Sequence, residues 1–230
     1  MRIYTSDIDW APEEVILDML TLYEKYKVKC TLFVTHESEV IKNCNRNLFE
    51  IAIHPNFNDI LFNGVNENPE DRIKKLMNFY PEAIGLRSHS MTQSTPLLNL
   101  FKKCGMKYES NQFLPYWDNI KPFELWNGLM RMPYNWEDDI HFSYGRNFKQ
   151  DGLAIQNNLN VYDFHPIHVY LNTEKEETYT NAKVDYHNFE MLSTHQNKSI
   201  EGARDLLISL LMRHYDLFNK SYTIREYLNL

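Results

Sequence analysis

The sequence has few cysteines and no long apolar run, and these two absences exclude several classes of protein. Only three of its 230 residues are cysteine. Cys30, Cys44 and Cys104 are widely spaced and form no CxxC pair, which argues against a disulfide framework or a thiolate zinc site and favours a reducing compartment. No run approaches the length of a membrane span, and Met1 and Arg2 lead directly into a predicted strand without room for a signal peptide. We therefore expect a soluble, cytoplasmic protein with no integral membrane segment.

Phosphate-binding glycine motifs and clusters of basic residues are absent as well. Neither GxGxxG nor GxxxxGK[ST] occurs, so the nucleotide-binding versions of the α/β fold lose support. The formal charge is −7 and the Lys and Arg residues are scattered, which does not indicate a nucleic-acid surface. The chain is instead rich in core-forming residues, at 43% hydrophobic and 14% aromatic, and we expect a single domain over residues 1–230.

Short apolar runs alternate with helical patterns through the first half of the chain. Because these runs are too apolar to be half exposed, the alternation predicts an α/β fold with a parallel sheet, either doubly wound or rolled into a barrel. The predicted strands are 3–6, 30–34, 49–53, 83–86 and 107–110. The predicted helices begin at Pro12, run over about 36–43, begin at Pro69 after a loop over 56–68, and run over 97–103.

The second half of the chain is less regular. Two further strands are predicted at 125–132 and 161–164. An extended loop rich in Asn, Glu and Thr follows Leu171, and a last long helix is predicted from Ser199 to near Asn219.

Asp7 and Asp9 stand one residue apart at the end of the first predicted strand, in the sequence SDIDW. In a strand they would share one face, where two carboxylates repel each other unless a cation or a shared proton compensates. The pair therefore suggests a metal ligand or a general base. The alternative is that both are turn and cap residues before a helix, since Ala11 and Pro12 follow.

Other polar residues follow later predicted strands in the same way. His54 closes the third strand, Arg87 and His89 follow the fourth, and His165 and His168 follow the late strand. The carboxyl ends of parallel strands lie on one side of a sheet, so these side chains should converge. One carboxylate and two imidazoles from three strands suit zinc, iron, cobalt or nickel, with open positions for water. Taken singly, each histidine could instead be a hydrogen-bonded structural residue.

The order of these motifs resembles the polysaccharide deacetylase family, with its NodB homology domain, and within it the WbmS-like branch. The resemblance is carried by the Asp pair, TLFV in the second strand, EIAIH in the third, an Arg after the fourth and a late FHP, and it runs from Ile3 to about Leu171. It implies a distorted (β/α) barrel, usually of about seven strands, that holds one divalent metal. It also implies a hydrolase that removes an N-acetyl or O-acetyl group from a sugar or glycan precursor in bacterial surface polysaccharide metabolism.

The resemblance assigns the general base to Asp7 and a metal ligand to Asp9. Ile8 separates two aspartates that the family usually places side by side, so these two roles could be exchanged. The second motif normally holds two histidines four residues apart, whereas this chain has His54 followed by Asn58. One expected ligand is therefore replaced.

His89 stands in the third motif, where the family usually has proline. In an extended segment it would face the same way as Arg87. We therefore predict that Asp9, His54 and His89 bind the metal, with Asn58 as the alternative third ligand. Zinc is the expected metal, and cobalt, nickel or iron are the alternatives.

The resemblance also assigns the role of general acid to His165, because the late FHP sequence matches the position where the family has this residue. Arg87 is expected to keep Asp7 ionised and oriented through a charge-assisted hydrogen bond. Asp138 or Asp139 could orient His165, or could form a solvated acidic turn. The chain is thus predicted to be a metal-dependent carbohydrate deacetylase. The alternatives are a degenerate glycan-binding member of the family and a barrel hydrolase that acts on a non-sugar amide or a phosphoester.

Overall fold

In a computed structural model of the chain, which describes residues 1–153, 158–218 and 220–230, the described strands form one nine-stranded sheet. The strands of this sheet are β1 (Arg2–Asp7), β2 (Cys30–Val34), β3 (Phe49–Ile53), β4 (Gly85–Leu86), β5 (Tyr108–Glu109), β6 (Phe123–Glu124), β7 (Met130–Arg131), β8 (Trp136–Glu137) and β9 (Asn160–Asp163). Their order across the sheet is β6-β7-β5-β4-β3-β2-β1-β9-β8. All neighbouring pairs are parallel except β6 with β7.

The sheet curls into a half-barrel, with β6 and β8 at its two edges. The α/β barrel-like fold expected from the sequence is therefore confirmed. The helices are α1 (Glu13–Tyr26), α2 (Glu39–Lys42), α3 (Asn58–Phe62), α4 (Pro69–Phe79), α5 (Thr95–Lys103), α6 (Asp138–Ser143), α7 (Pro166–Leu171), α8 (Glu176–Ala182), α9 (Phe189–Thr194), α10 (Ala203–Phe218) and α11 (Ile224–Leu228). Two 3-10 turns, His89–Met91 and Lys183–Asp185, complete the described elements.

The three longest strands of the first half are buried on both faces. Every residue of β1, β2 and β3 is buried, as expected for parallel strands that are covered by helices. Helix α1 supplies part of that cover. It follows Pro12 and packs its apolar face against the core. It ends at Tyr26, and the next residue, Lys27, caps it with a left-handed backbone conformation. Because α1 packs against α7 and α10, the first and last thirds of the chain share one core.

Several predicted elements in the less regular segments were wrong. Residues 125–132 form no continuous strand, because Asn127 and Gly128 make the turn of a hairpin between β6 and β7, closed by the Leu125 N–H to Leu129 carbonyl hydrogen bond of 2.9 Å. The predicted loop over 56–68 contains α3, and the loop after Leu171 contains α8 and α9. The last long helix begins at Ala203 rather than at Ser199, and its predicted end near Asn219 lies outside the described residues.

Gly85 is required where β4 passes the side chain of Tyr108. A Cβ on Gly85 would lie 1.9 Å from the ring carbon Cζ of Tyr108. We therefore expect Gly85→Ala to lower the free energy of unfolding by about 1–3 kcal/mol, the usual cost of overpacking a core. Urea denaturation followed by circular dichroism measures this change, and an unchanged midpoint would contradict the close approach.

None of the described helices is both long enough and apolar enough to cross a bilayer.

Candidate active site

Three of the predicted residues meet at the carboxyl ends of the central strands. His54, directly after β3, places Nε2 3.3 Å from Oδ1 of Asp9. His89, after β4, places Nδ1 3.3 Å from the same oxygen. The two imidazole rings are nearly perpendicular, at 84°, and the three candidate ligand atoms lie within 4.8 Å of one another. We call Asp9, His54 and His89 the three-residue cluster.

The three-residue cluster fits a divalent cation. Asp9 Oδ1 is buried and makes no well-formed hydrogen bond with any described residue, although two ring nitrogens face it. Two imidazole nitrogens and one carboxylate oxygen are also the donor set that a hydrolytic metal site uses when positions for water stay open. Asn58, the alternative ligand, is turned elsewhere, because its Nδ2 donates to Ser90 Oγ at 3.1 Å.

The electrostatics of the cluster keep Asp9 ionised. Burial opposes the charged carboxylate, but the imidazoles of His54 and His89 that face it outweigh this effect, and the pKa of Asp9 lies well below its ordinary value. An ionised carboxylate is the form that binds a metal.

Arg87 forms ion pairs with the candidate base, Asp7, and with Asp163 on β9. It is fully buried between the rings of Phe33 and Tyr134, with its guanidinium carbon 4.4 and 4.0 Å from their centroids. Its Nη1 donates to Asp7 Oδ1 at 2.8 Å and also to Asp163 Oδ1. Two carboxylates therefore share one guanidinium.

Arg87 lowers the pKa of Asp7, the direction expected of a group that keeps this carboxyl ionised, but burial has the larger effect. Burial raises the pKa of Asp7 by more than the Arg87 guanidinium lowers it, so the net shift is upward. The other oxygen of Asp7, Oδ2, lies 3.5 Å from Nε2 of His54, on the side of the three-residue cluster. A carboxylate of raised pKa beside that cluster is suited to accept a proton near neutral pH.

Asp163 was not predicted. It is fully buried on β9, two residues before His165. The sequence DFHP could have indicated that Asp163 belongs to the site. Residues two apart in a strand share a face, and His165 was already predicted to be a site residue.

His165 also lies close to the three-residue cluster. Its Nε2 lies 3.7 Å from Asp9 Oδ2, while its Nδ1 lies 2.7 Å from Asp138 Oδ1. The backbone N–H of His165 donates to the second oxygen of Asp138 at 2.9 Å. Burial disfavours the imidazolium, but the Asp138 carboxylate outweighs this effect and raises the pKa of His165 well above its ordinary value.

Of the two aspartates proposed to orient His165, Asp138 makes the contact. It is fully buried, so its interpretation as part of a solvated turn was wrong. Asp139 instead accepts the backbone N–H of Ile140 at 2.6 Å. His168 lies behind His165, with ring centroids 5.5 Å apart, and its Nδ1 lies 3.2 Å from Thr173 Oγ1.

A cavity opens beside the three-residue cluster. Trp10 is 40% exposed and its indole meets the ring of His89 edge to face, at 5.1 Å between centroids. The same Trp10 lines a cavity of about 470 Å³, together with His36, Pro55 and Arg72 among others. Trp10 and Pro55 directly follow Asp9 and His54 in the chain, so this cavity borders the cluster without being lined by its three residues.

Comparison with known proteins gives consistent matches. Residues 4–183 match the family model for WbmS-like polysaccharide deacetylases. A structure from Bordetella bronchiseptica, described as that of an assumed polysaccharide deacetylase involved in O-antigen biosynthesis, is 35% identical, with a TM-score of 0.86 over 92% of this chain and 90% of that one. No curated protein matches the chain.

Two more distant structures share the fold alone. One, described as an assumed polysaccharide deacetylase from Mycobacterium smegmatis, is 16% identical, with a TM-score of 0.59 over 99% of this chain and 87% of that one. The other, a 4-alpha-glucanotransferase from Thermococcus litoralis, is 10% identical, with a TM-score of 0.55 over 99% of this chain and 38% of that one.

Proposed function

Because this chain belongs to the WbmS-like polysaccharide deacetylase family, we propose that it is a metal-dependent hydrolase that removes an acetyl group, N-linked or O-linked, from a sugar or glycan precursor. The observation that carries the proposal is the convergence of the three-residue cluster, a carboxylate held by a guanidinium and an imidazole held by a carboxylate. The description of the Bordetella relative supports bacterial surface polysaccharide as the setting.

Hydrolysis of an amide needs an activated water, a stabilised oxyanion and a proton for the leaving amine. A divalent cation, with zinc as our first choice, would be held by the three-residue cluster, where it would lower the pKa of water and polarise the acetyl carbonyl. The remaining tasks belong to the protein's own side chains on either side of the cluster.

Asp7 acts as the general base in this proposal. Its Oδ1 is held by Arg87 at 2.8 Å, so Oδ2 is the oxygen left to take a proton from the attacking water. The raised pKa of Asp7 makes that transfer more favourable than it would be for an ordinary surface aspartate.

His165 acts as the general acid. With Nδ1 fixed by Asp138, its Nε2 faces the three-residue cluster and donates the proton to the departing nitrogen or oxygen. The raised pKa keeps the imidazolium populated at neutral pH, which is the state that a proton donor needs.

Asp138→Asn tests this assignment. The asparagine retains the shape of Asp138 but removes the charge that stabilises the imidazolium of His165, so kcat should fall about 10²-fold while KM changes little. The comparison variant is Asp139→Asn, because Asp139 accepts the N–H of Ile140 and acts on His165 only through its charge, a smaller contribution than that of Asp138, so kcat should fall less. Equal losses of kcat in the two variants would contradict the assignment.

The proposed function as a whole is tested by acetate release from a panel of N-acetylated sugars and sugar nucleotides. We expect release by the zinc-loaded protein and none after treatment with a chelator, with recovery when zinc is added back. Release that is unaffected by the chelator would contradict metal dependence. A protein that binds the sugars without releasing acetate would support the glycan-binding alternative.

A further inference from the structure

The backbone at Asp9 and Trp10 has an uncommon conformation. Both residues have positive φ angles, 41° and 56°, although neither is glycine. Such conformations are sparsely populated for residues that carry a Cβ, and they persist where surrounding groups hold them in place. Here two of them occur in succession at a candidate metal ligand.

The peptide group that joins Asp9 to Trp10 is held on both sides. Its N–H, from Trp10, donates to Thr35 Oγ1 at 2.9 Å. Its carbonyl, from Asp9, accepts a hydrogen bond from the hydroxyl of Tyr186, also at 2.9 Å. Both hydrogen bonds come from outside the turn, and Tyr186 is 177 residues away in sequence.

The two side chains that hold this peptide are themselves supported. Thr35 directly follows β2, at the same end of the sheet as the three-residue cluster. Tyr186 is half-buried and follows the 3-10 turn Lys183–Asp185, which is joined to the end of α9 by an ion pair of 2.8 Å between Asp185 and His195.

The orientation of one peptide plane decides the direction of two side chains. It sets ψ of Asp9 and φ of Trp10, and through them the approach of the Asp9 carboxylate to the two imidazoles and the position of the Trp10 indole against His89. If the plane were released to rotate, the ligand oxygen would lose its fixed position.

We propose that Tyr186 and Thr35 form a clamp on the Asp9–Trp10 peptide, and that Tyr186 is a positioning residue for the metal ligand Asp9. The second part of this inference rests on the proposed metal-dependent function. Tyr186 lies beyond residues 4–183, the segment that matches the family model.

The first test examines the clamp in metal-free protein. With ¹⁵N-tryptophan labelling, the four tryptophans give four backbone amide signals, and the signal lost in Trp10→Phe identifies that of residue 10. Tyr186→Phe removes only the hydroxyl, and we expect hydrogen exchange at the Trp10 amide to become about tenfold faster as the turn opens locally. The other three amides should be unaffected.

The matched control for this test is Tyr179→Phe. Tyr179 lies in α8 and packs on His168 at 4.7 Å between ring centroids, but its hydroxyl bonds to no described residue. Exchange at Trp10 should therefore stay at the parent rate in this variant. An unchanged rate in Tyr186→Phe, or equal acceleration in both variants, would overturn the clamp.

The second test measures zinc affinity by competition with a chromophoric chelator. Tyr186→Phe and Thr35→Val should each weaken zinc binding about tenfold, as expected for loss of a group that orients a ligand. Thr35→Ser keeps the hydroxyl and should restore the parent affinity.

If exchange at Trp10 accelerates while zinc affinity is unchanged, the positioning role of Tyr186 is overturned. If the parent protein binds no zinc at all, the proposed metal site and the positioning role both fail, and the exchange experiment decides the clamp alone.

Discussion

Replacing Asp7 with asparagine is expected to lower kcat about 10³-fold, within the range that a general base contributes, while the protein keeps its full metal content. An asparagine in this position still offers Oδ1 to Arg87 but cannot take a proton from water. Asp163 remains beside the guanidinium and balances its charge, so the fold should persist. Acetate release gives kcat, and mass spectrometry of the metals in the same sample gives the metal content.

The reciprocal variant decides whether the two aspartates have exchanged roles. Asp9→Asn should lose metal, because the carboxylate oxygen that faces both imidazoles becomes an amide. If the opposite pattern were found, with metal lost in Asp7→Asn and retained in Asp9→Asn, the base and the ligand would have to be reassigned. The intervening Ile8 makes this comparison necessary.

His54→Ala and His89→Ala are each expected to abolish stoichiometric metal binding. Each removes one of the three protein ligands proposed, so the loss of affinity should exceed the ~100-fold that removal of an outer partner can cost. Equilibrium dialysis against zinc, followed by metal analysis, measures the loss. Turnover should disappear together with the metal and should not return at zinc concentrations that saturate the parent protein.

His36→Ala is the matched control for the two histidine variants. His36 lies after β2, near the same end of the sheet, but it is not part of the three-residue cluster. Its Nδ1 lies 2.9 Å from Thr35 Oγ1, so the variant should retain stoichiometric metal at saturating zinc and lose at most the roughly tenfold in affinity expected for Thr35→Val. Full metal content in His89→Ala would contradict its assignment as the third ligand, and Asn58→Ala would then test the alternative.

Strands β2 and β3 could be predicted to the residue because each is a short, mostly apolar run, CTLFV and FEIAI, that is followed by a polar residue. The two-residue strands β4 and β5 lie inside the predicted ranges 83–86 and 107–110, which are longer than the strands themselves, whereas β8 was not predicted because two residues leave no periodic pattern. The polar helix α9 could have been found from Asn188, whose side chain accepts the Met191 N–H at 3.3 Å as an N-cap. Of the helices that were not predicted, α3, α8 and α9 each bury at most one residue, so their sequences carry little apolar periodicity.

The candidate site was more predictable than the second half of the fold. Residues that follow parallel strands meet because the topology requires it, so proximity among Asp9, His54 and His89 could be inferred without coordinates. Tyr186 could not be inferred, because its contact with Asp9 depends on how a distant turn packs and no local pattern encodes that.

The pairing of β1 with β9 also has a consequence for the order in which this protein assembles. The three-residue cluster lies within the first 89 residues, and Asp7 and Arg87 precede that limit as well. His165 reaches them only when β9 docks on β1, a contact that brings Thr5 to Tyr162 across 157 residues of sequence. Because closing so long a loop is slow relative to local contacts, a chain emerging from the ribosome would gather the proposed base and ligand residues first, the proposed acid when β9 docks, and the clamp residue Tyr186 after that. Hydrolytic competence would thus arise late in synthesis, once β9 has left the ribosome.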